Sequence, residues 1–281
     1  MTRLSWTAKS ELGSLKDLQQ LPLLQTLTLS RLSAVPRDIH NFKFVQSLRL
    51  HGIEEEVCDI ESYTQLTHLQ ISIHRQDTVK EILLPFGNDV KLHSLDIWGP
   101  CQELHTFHLR NLTLAICLVE MSLSSRSPQN FEQADLSALP FLTKLQVTDP
   151  NCAFFKTLML CSSLQSLYVL GYEHPTLPSS FSLLTHLKSL IMDGCSFAQL
   201  PDCLLHLSQL ENLCVYCNQP TFHLSDSILC LATWPNLKSL EISVCQPWQS
   251  QLLIESQLLV SQLQKQLRNC SSSCNFIFQY R

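Results

Sequence analysis

Apolar residues recur along this chain at intervals of three that shorten to two. From Leu200 the order is Leu200-Pro201, Leu204, Leu207, Leu210, Leu213, Val215 and Asn218. A spacing of three keeps side chains on one side of a helical or 3₁₀ turn, and a spacing of two keeps them on one face of a strand. The segment therefore predicts a turn feeding a short strand. The same frame returns at Leu177-Pro178, Phe181, Leu184, Leu187, Leu190, Met192 and Cys195, and at Val35-Pro36, Ile39, Phe42, Val45, Leu48, Leu50 and Ile53. Three segments in one register signal a solenoid.

The motif LxxLxL places the other strands. Leu4 and Trp6 precede Leu27 and Leu29 by 23 residues, so the chain is read as starting within a strand. Leu12, Leu15, Leu18, Leu21 and Leu24 then step by three. No polar segment precedes that strand, which predicts an N-terminal end covered by a partner or by a missing segment. Strands follow at Leu24-Leu27-Leu29, Val45-Leu48-Leu50, Leu66-Leu69-Ile71 and Leu92-Leu95-Ile97. The longer step after Leu66 holds Asp77 to Phe86, read as a short helix carrying Val79, Ile82 and Leu83.

The middle is less regular. Leu109-Leu112-Leu114 competes there with Leu104-Phe107-Leu109, and polar Ser124 to Gln133 reads as a protruding loop. Regular units return at Leu142, Leu164, Leu187, Leu210 and Leu237, spaced 22, 23, 23 and 27 residues apart, the last step with a longer helix over Ser227 to Thr233. After Gln249 an amphipathic helix is expected, with Leu252, Leu253, Leu259, Leu263 and Leu267 on its apolar face. Asn269 to Ser273 breaks it, and Asn275-Phe276-Ile277-Phe278 adds a final strand. The expected organisation is an array of about ten repeats over 1-248, irregular around 100-140, closed by a capping helix and terminal strand over 249-281.

The leucines of each strand face the core, and the residues between them form columns on the concave surface. One column reads Thr28, Arg49, Gln70, Asp96, Thr113, Gln146, Tyr168, Ile191, Cys214 and Glu241. The next reads Ser30, His51, Ser72, Trp98, Ala115, Thr148, Leu170, Asp193, Tyr216 and Ser243. Most positions are small and polar, as solvation requires. Three neighbouring repeats instead place Tyr168, Leu170, Ile191 and Tyr216 around Asp193 and Cys214, the composition of a buried interface centre. These six residues and the separate Trp98 are the candidate partner contacts. The competing explanation is that strand surfaces favour Tyr, Ile and Trp in any case.

Composition narrows the function classes. Charged residues make up 15% of the chain, and the formal charge of −5 supplies no general attraction for phosphate backbones. Nucleic acid is therefore not an expected partner. Met1 to Trp6 lacks the apolar core of a secretory signal, and no window approaches the roughly 18 apolar residues of a membrane span. Thirteen Cys spread along the array read as reduced thiols, which places the chain in the cytoplasm.

Several cysteines fall where the strand turns into the loop, at Cys117, Cys195 and Cys245, with Asn218 in the same place and Pro100, Pro150 and Tyr172 departing from it. Cys214 and Cys217 form a CxxC, yet neither a helix start nor a second ligand pair accompanies them, so no metal or redox role is assigned. Cys270 and Cys274 carry no stronger signal. The eleven His, including His68, His74, His105 and His108, are scattered over different repeats without a nucleophile or a carboxylate pair. No nucleotide-binding, metalloprotease or kinase motif occurs, and no cofactor or enzymatic activity is expected.

The three LPxxLxxLxxLxxLxLxxN segments, residues 35-53, 177-195 and 200-218, resemble leucine-rich repeat proteins, especially the intracellular Ras-group and plant disease-resistance types. The resemblance implies an α/β leucine-rich solenoid, curved, with parallel strands on the concave face and helices, 3₁₀ turns and loops on the convex face. It further implies a non-enzymatic scaffold binding a protein partner in signalling. The alternative is the recognition or sensor portion of a larger signalling receptor or ubiquitin-ligase-type enzyme whose effector domain is absent from this chain. Related arrays also act as bacterial effectors delivered into a host cytoplasm.

Overall fold

The structure, a computed structural model, describes residues 3–7, 23–31, 44–53, 65–73, 81–83, 91–98, 106–108, 120–124, 136, 139–150, 152–158, 160–245, 250–270 and 274–280. Contacts divide the chain into two compact units, Met1–Thr143 and Lys144–Arg281. Each is a stack of parallel strands forming part of a solenoid. Among the described residues no helix is long and apolar enough to cross a membrane.

In the first unit, β1 (Arg3–Thr7), β2 (Thr26–Ser30), β3 (Ser47–Ile53) and β4 (His68–Ile73) lie side by side in chain order. The expected first strand pairs in register, with Leu4 opposite Leu27 and Trp6 opposite Leu29. Leu27, Leu29, Leu48, Leu50, Leu69 and Ile71 are buried, which confirms the frame. Two short strands, β5 (Glu81–Leu83) and β7 (Thr106–His108), flank β6 (Ser94–Trp98) in sequence and pair with each other in a separate ribbon. Ile82 and Leu83 thus belong to a strand rather than to the expected helix. The two ribbon strands hold nearly the same place in their repeats: β5 starts 13 residues before β6, and β7 starts 14 before β8 (Glu120–Ser124).

The strand that continues the first sheet after β6 is β8, with Leu95 opposite Met121 and Ile97 opposite Leu123. Neither frame centred on Leu109 supplies this rung. Residues 109–119 lie outside the described set, and Leu104-Phe107-Leu109 meets only β7. The surface columns are corrected accordingly: Ser122 stands opposite Asp96 and Ser124 opposite Trp98, where Thr113 and Ala115 were expected. The motif was present as Leu118-Met121-Leu123, obscured by Met in a leucine position.

The second unit contains β9 (Lys144–Thr148), α1 (Cys152–Leu158), β10 (Ser166–Leu170), β11 (Ser189–Cys195), β12 (Asn212–Cys217), β13 (Ser239–Val244), α2 (Ser250–Cys270) and β14 (Asn275–Tyr280). Its strands run parallel in chain order. Short 3₁₀ helices, Ser179–Leu183, Asp202–His206 and Asp226–Thr233, lead into β11, β12 and β13.

The spacing of three acquires a direct meaning in these turns. The N–H of Phe181, Leu184 and Leu187 each bonds the carbonyl three residues back, starting from Pro178. Leu204, Leu207 and Leu210 repeat this from Pro201. A 3₁₀ turn has about three residues, so every rung that donates a bond also points inward. Pro opens each run, where its missing N–H costs no helical bond and its fixed φ is already suitable. The earlier LP segment has residues 32–43 outside the described set.

The strand ends follow a rule that the sequence only partly displayed. Gly52, Gly171 and Gly194 have φ of 74°, 75° and 70°, and Arg31 and Asp149 have φ of 59° and 50°. All five stand two residues beyond the second strand leucine or its equivalent. A left-handed residue there adds one residue to the strand, so the inward position moves one place further. Tyr172 and Cys195 follow Gly171 and Gly194 in this way and are fully buried. β12 and β13 have no such residue, and the period of two continues. Cys217 and Val244 therefore take the buried corner, paired with Cys195 and with each other in register. This corrects the placement of Asn218 and Cys245; Asn218 is exposed.

Gly171 is the tightest of these positions. A Cβ there would approach Asp149 Oδ1 to 2.0 Å, in a backbone region that L residues disfavour by roughly 1–2 kcal/mol. Gly171→Ala is expected to lower stability by about that amount, because the Asp149 side chain can swing aside. The urea midpoint measures it, and an unchanged midpoint would show that the bulge yields at no cost.

Candidate interaction surface on the strand face

The outward positions of β10, β11 and β12 bring six of the candidate residues together. Tyr168, Ile191 and Cys214 are successive neighbours in one row, and Leu170, Asp193 and Tyr216 are neighbours in the next. Their inward companions Leu167, Val169, Leu190, Met192, Leu213 and Val215 are buried, which forces these six to face outward. All six are partly exposed. Trp98 is also outward, 48% exposed on β6 of the first unit beside Ser72 and Ser124 in register.

The first row extends further than the sequence reading took it. Cys214 is opposite Glu241, and Glu241 is opposite Ile277 on β14, which is 39% exposed. Ile277 was missed because the columns stopped at β13. Its signal was the alternation Phe276-Ile277-Phe278, whose middle residue must face away from the phenylalanines. Ser243, by contrast, occupies an outward register position but is buried.

Two tyrosines are fixed by carboxylates. The Tyr168 hydroxyl donates to Asp193 Oδ2 at 3.2 Å, across neighbouring strands. Burial, then the Asp193 charge and this bond, raise the Tyr168 pKa. Burial also raises that of Tyr216, helped by Cys214 and by a hydrogen bond to Glu241. Both phenols are neutral donors at physiological pH. Held this way, the rings lose less freedom on contact than unrestrained side chains would.

The thiols of the CxxC lie on opposite sides of the sheet, since three residues along a strand reverse the face. Cys214 faces outward, and burial with the nearby Glu241 raises its pKa. Cys217 is buried, with its thiol 3.9 Å from the Phe197 carbonyl and its pKa raised by burial to about 12. The pair cannot close on one metal or form a disulfide without turning a strand residue over. His74 and His105 lie outside the described residues. His68 is exposed on β4 beside the Thr67 hydroxyl.

No protein-family model matches the sequence, and no curated protein matches it. Among solved structures, a leucine-rich repeat protein of Leptospira interrogans aligns over 99% of this chain and 71% of its own, at 16% identity and a TM-score of 0.53. The leucine-rich ectodomain of a plant membrane receptor kinase from Arabidopsis thaliana aligns over 94% of this chain and 33% of its own, at 14% identity and a TM-score of 0.49. At such identity the first likeness is one of fold.

Proposed function

Because the chain is a leucine-rich repeat solenoid, we propose that it is a non-enzymatic scaffold that binds a protein partner on its strand face. Leucine-rich folds commonly mediate protein–protein interaction, and fold alone names no partner. The observation carrying the reading is the apolar surface of Tyr168, Leu170, Ile191 and Tyr216, continued to Ile277, with both phenols held by carboxylates. Aromatic groups on a rigid sheet, ringed by Asp193, Glu241 and Gln146, have the make-up of an interface centre. Trp98 serves as a second contact on the first unit. Residues 249–281 act as the cap of the array: Leu259, Leu263 and Leu267 are buried, α2 packs on the 3₁₀ helix Asp226–Thr233, and β14 pairs with β13.

Tyr168→Ser combined with Tyr216→Ser is expected to weaken partner binding about a hundredfold, as removal of two central aromatic contacts does. Affinity capture on the immobilised chain, followed by calorimetry with the captured protein, measures the loss. Thermal unfolding should stay nearly unchanged, since neither ring fills the core. Equal retention of every protein by the wild type and the double variant would overturn the proposal.

The same reading places the protein in a reducing compartment, the cytoplasm or a host cytoplasm. Supporting it, Cys195, Cys203, Cys214, Cys217, Cys230, Cys245 and Cys274 are free thiols. Alkylation of the denatured, unreduced protein purified from its native source should modify all thirteen Cys. A shortfall of two or more would indicate an oxidising compartment.

A further inference from the structure

The strand face of the first unit has a chemistry opposite to that of the tyrosine surface. A hollow of about 480 Å³ opens there, lined among others by Arg3, Arg49 and His68, with hydroxyls from Ser5, Thr28 and Ser47. Arg3 lies on β1, Arg49 on β3 and His68 on β4. Among the described residues neither arginine is ion-paired. His51, two residues beyond Arg49, has its pKa held below the ordinary imidazole value by burial and by the Arg49 charge. The positive potential is therefore felt by a neighbouring side chain.

We propose that this hollow receives an acidic, extended segment of a protein partner, with carboxylates spaced to meet Arg3 and Arg49. The spacing follows from the sheet. β1 and β3 are separated by β2, and Arg3 stands in the row of Ser47, two residues before Arg49, so at roughly 4.8 Å per strand and about 3.3 Å per residue the two arginine backbones are about 12 Å apart. An extended peptide covers that distance in about three to four residues, and the length of the arginine side chains lets Glu or Asp at every third position bring one carboxylate to each guanidinium. The serine and threonine hydroxyls supply donors for the peptide carbonyls between them.

The same face argues against a nucleic-acid strand. Among the described residues the lining contains no phenyl or indole ring on which a base could stack, and the exposed Trp98 stands on β6, past the β4 edge of the hollow. Beyond β4 the charge reverses: Asp96 stands two strands from Arg49, and Glu120 follows on β8. Burial and the Glu120 charge raise the Asp96 pKa, while His68 and Arg49 lower it. A phosphate backbone continuing past β4 would be repelled there. A peptide can confine its acids to the β1–β4 end.

The test uses the full chain and a fluorescent ten-residue peptide with Glu at every third position, read by anisotropy. The Glu peptide should bind at least about tenfold more tightly than the same peptide with Gln, and should weaken about tenfold between about 50 and about 500 mM salt. Arg49→Gln should reduce affinity about tenfold, and Arg3→Gln should do likewise. Asp96→Asn should strengthen binding severalfold by removing a repulsive charge, an outcome that misfolding cannot imitate. The Tyr168→Ser/Tyr216→Ser variant should bind the peptide normally, which separates this site from the tyrosine surface. Equal affinity for Glu and Gln peptides, or no effect of either arginine, would overturn the proposal. So would tighter binding of an oligothymidylate through the same arginines.

Discussion

Phe155→Ala is expected to destabilise the Lys144–Arg281 unit by about 3–5 kcal/mol, the largest effect of any single substitution proposed for this chain. Phe155 is fully buried on α1. Its ring meets three others edge-on: Phe154 at 6.0 Å, Tyr172 at 5.1 Å and Phe181 at 5.5 Å. These come from α1 itself, the corner after β10 and the 3₁₀ helix before β11. Truncation would open a cavity shared by elements of successive repeats, and neighbouring repeats are what stabilise one another in a solenoid. Edge-on aromatic pairs add about 0.5–1.5 kcal/mol beyond the area they bury, so several are lost together. Phe155→Leu keeps most of the apolar volume and should cost much less, about 1.5 kcal/mol. The urea midpoint of the unit reports both variants. Equal small shifts would mean that neither the apolar volume of Phe155 nor its ring contacts stabilise the unit.

Leu190→Ala comes next, at about 2–5 kcal/mol. Leu190 is buried in β11, opposite Leu167 on one side and Leu213 on the other. Its removal leaves a gap against both. Ile191→Ala, one residue further along the same strand, is the control. It faces outward, and its expected cost is within about 0.5 kcal/mol. The ratio of the two midpoint shifts tests the inward–outward assignment independently of absolute stability. Comparable shifts would contradict the strand frame and, with it, the surface assigned to Tyr168 and Tyr216.

Much of the frame was legible because the core in this fold is local. Each rung of Leu177–Met192 or Leu200–Val215 buries against the same rung of the next repeat, so side-chain period and backbone hydrogen bonding share one spacing. Where one residue departed from leucine, the reading slipped. Met121 fills a leucine place in β8 without strain, since an unbranched thioether adapts to such a gap. The slip displaced two column residues of the first unit. It did not touch Trp98 or the six candidates of the second unit, whose strands were correctly framed.

Tyr172 marks another limit. A small polar residue was expected at the corner, yet an aromatic ring fits because its hydroxyl donates to the Thr176 carbonyl while the ring packs on Phe155 and Phe197. The sequence showed the departure but not its partners, which arrive from α1 and from the next repeat.

The spacing of apolar residues by itself determined the solenoid, the strand positions outside the irregular middle, and the outward placement of Tyr168, Leu170, Ile191, Asp193, Cys214 and Tyr216. A strand reverses its face at every residue, so burial of one set dictates exposure of the other. Only the tertiary structure decided which residues close the corners, because left-handed residues at Gly171 and Gly194 shift the inward position while β12 and β13 continue without one. It alone brought Ile277 into the row of Tyr168 and set Arg3 and Arg49 around one hollow. These are relations across strands, governed by pairing register, and register depends on which residues of distant segments exchange backbone hydrogen bonds.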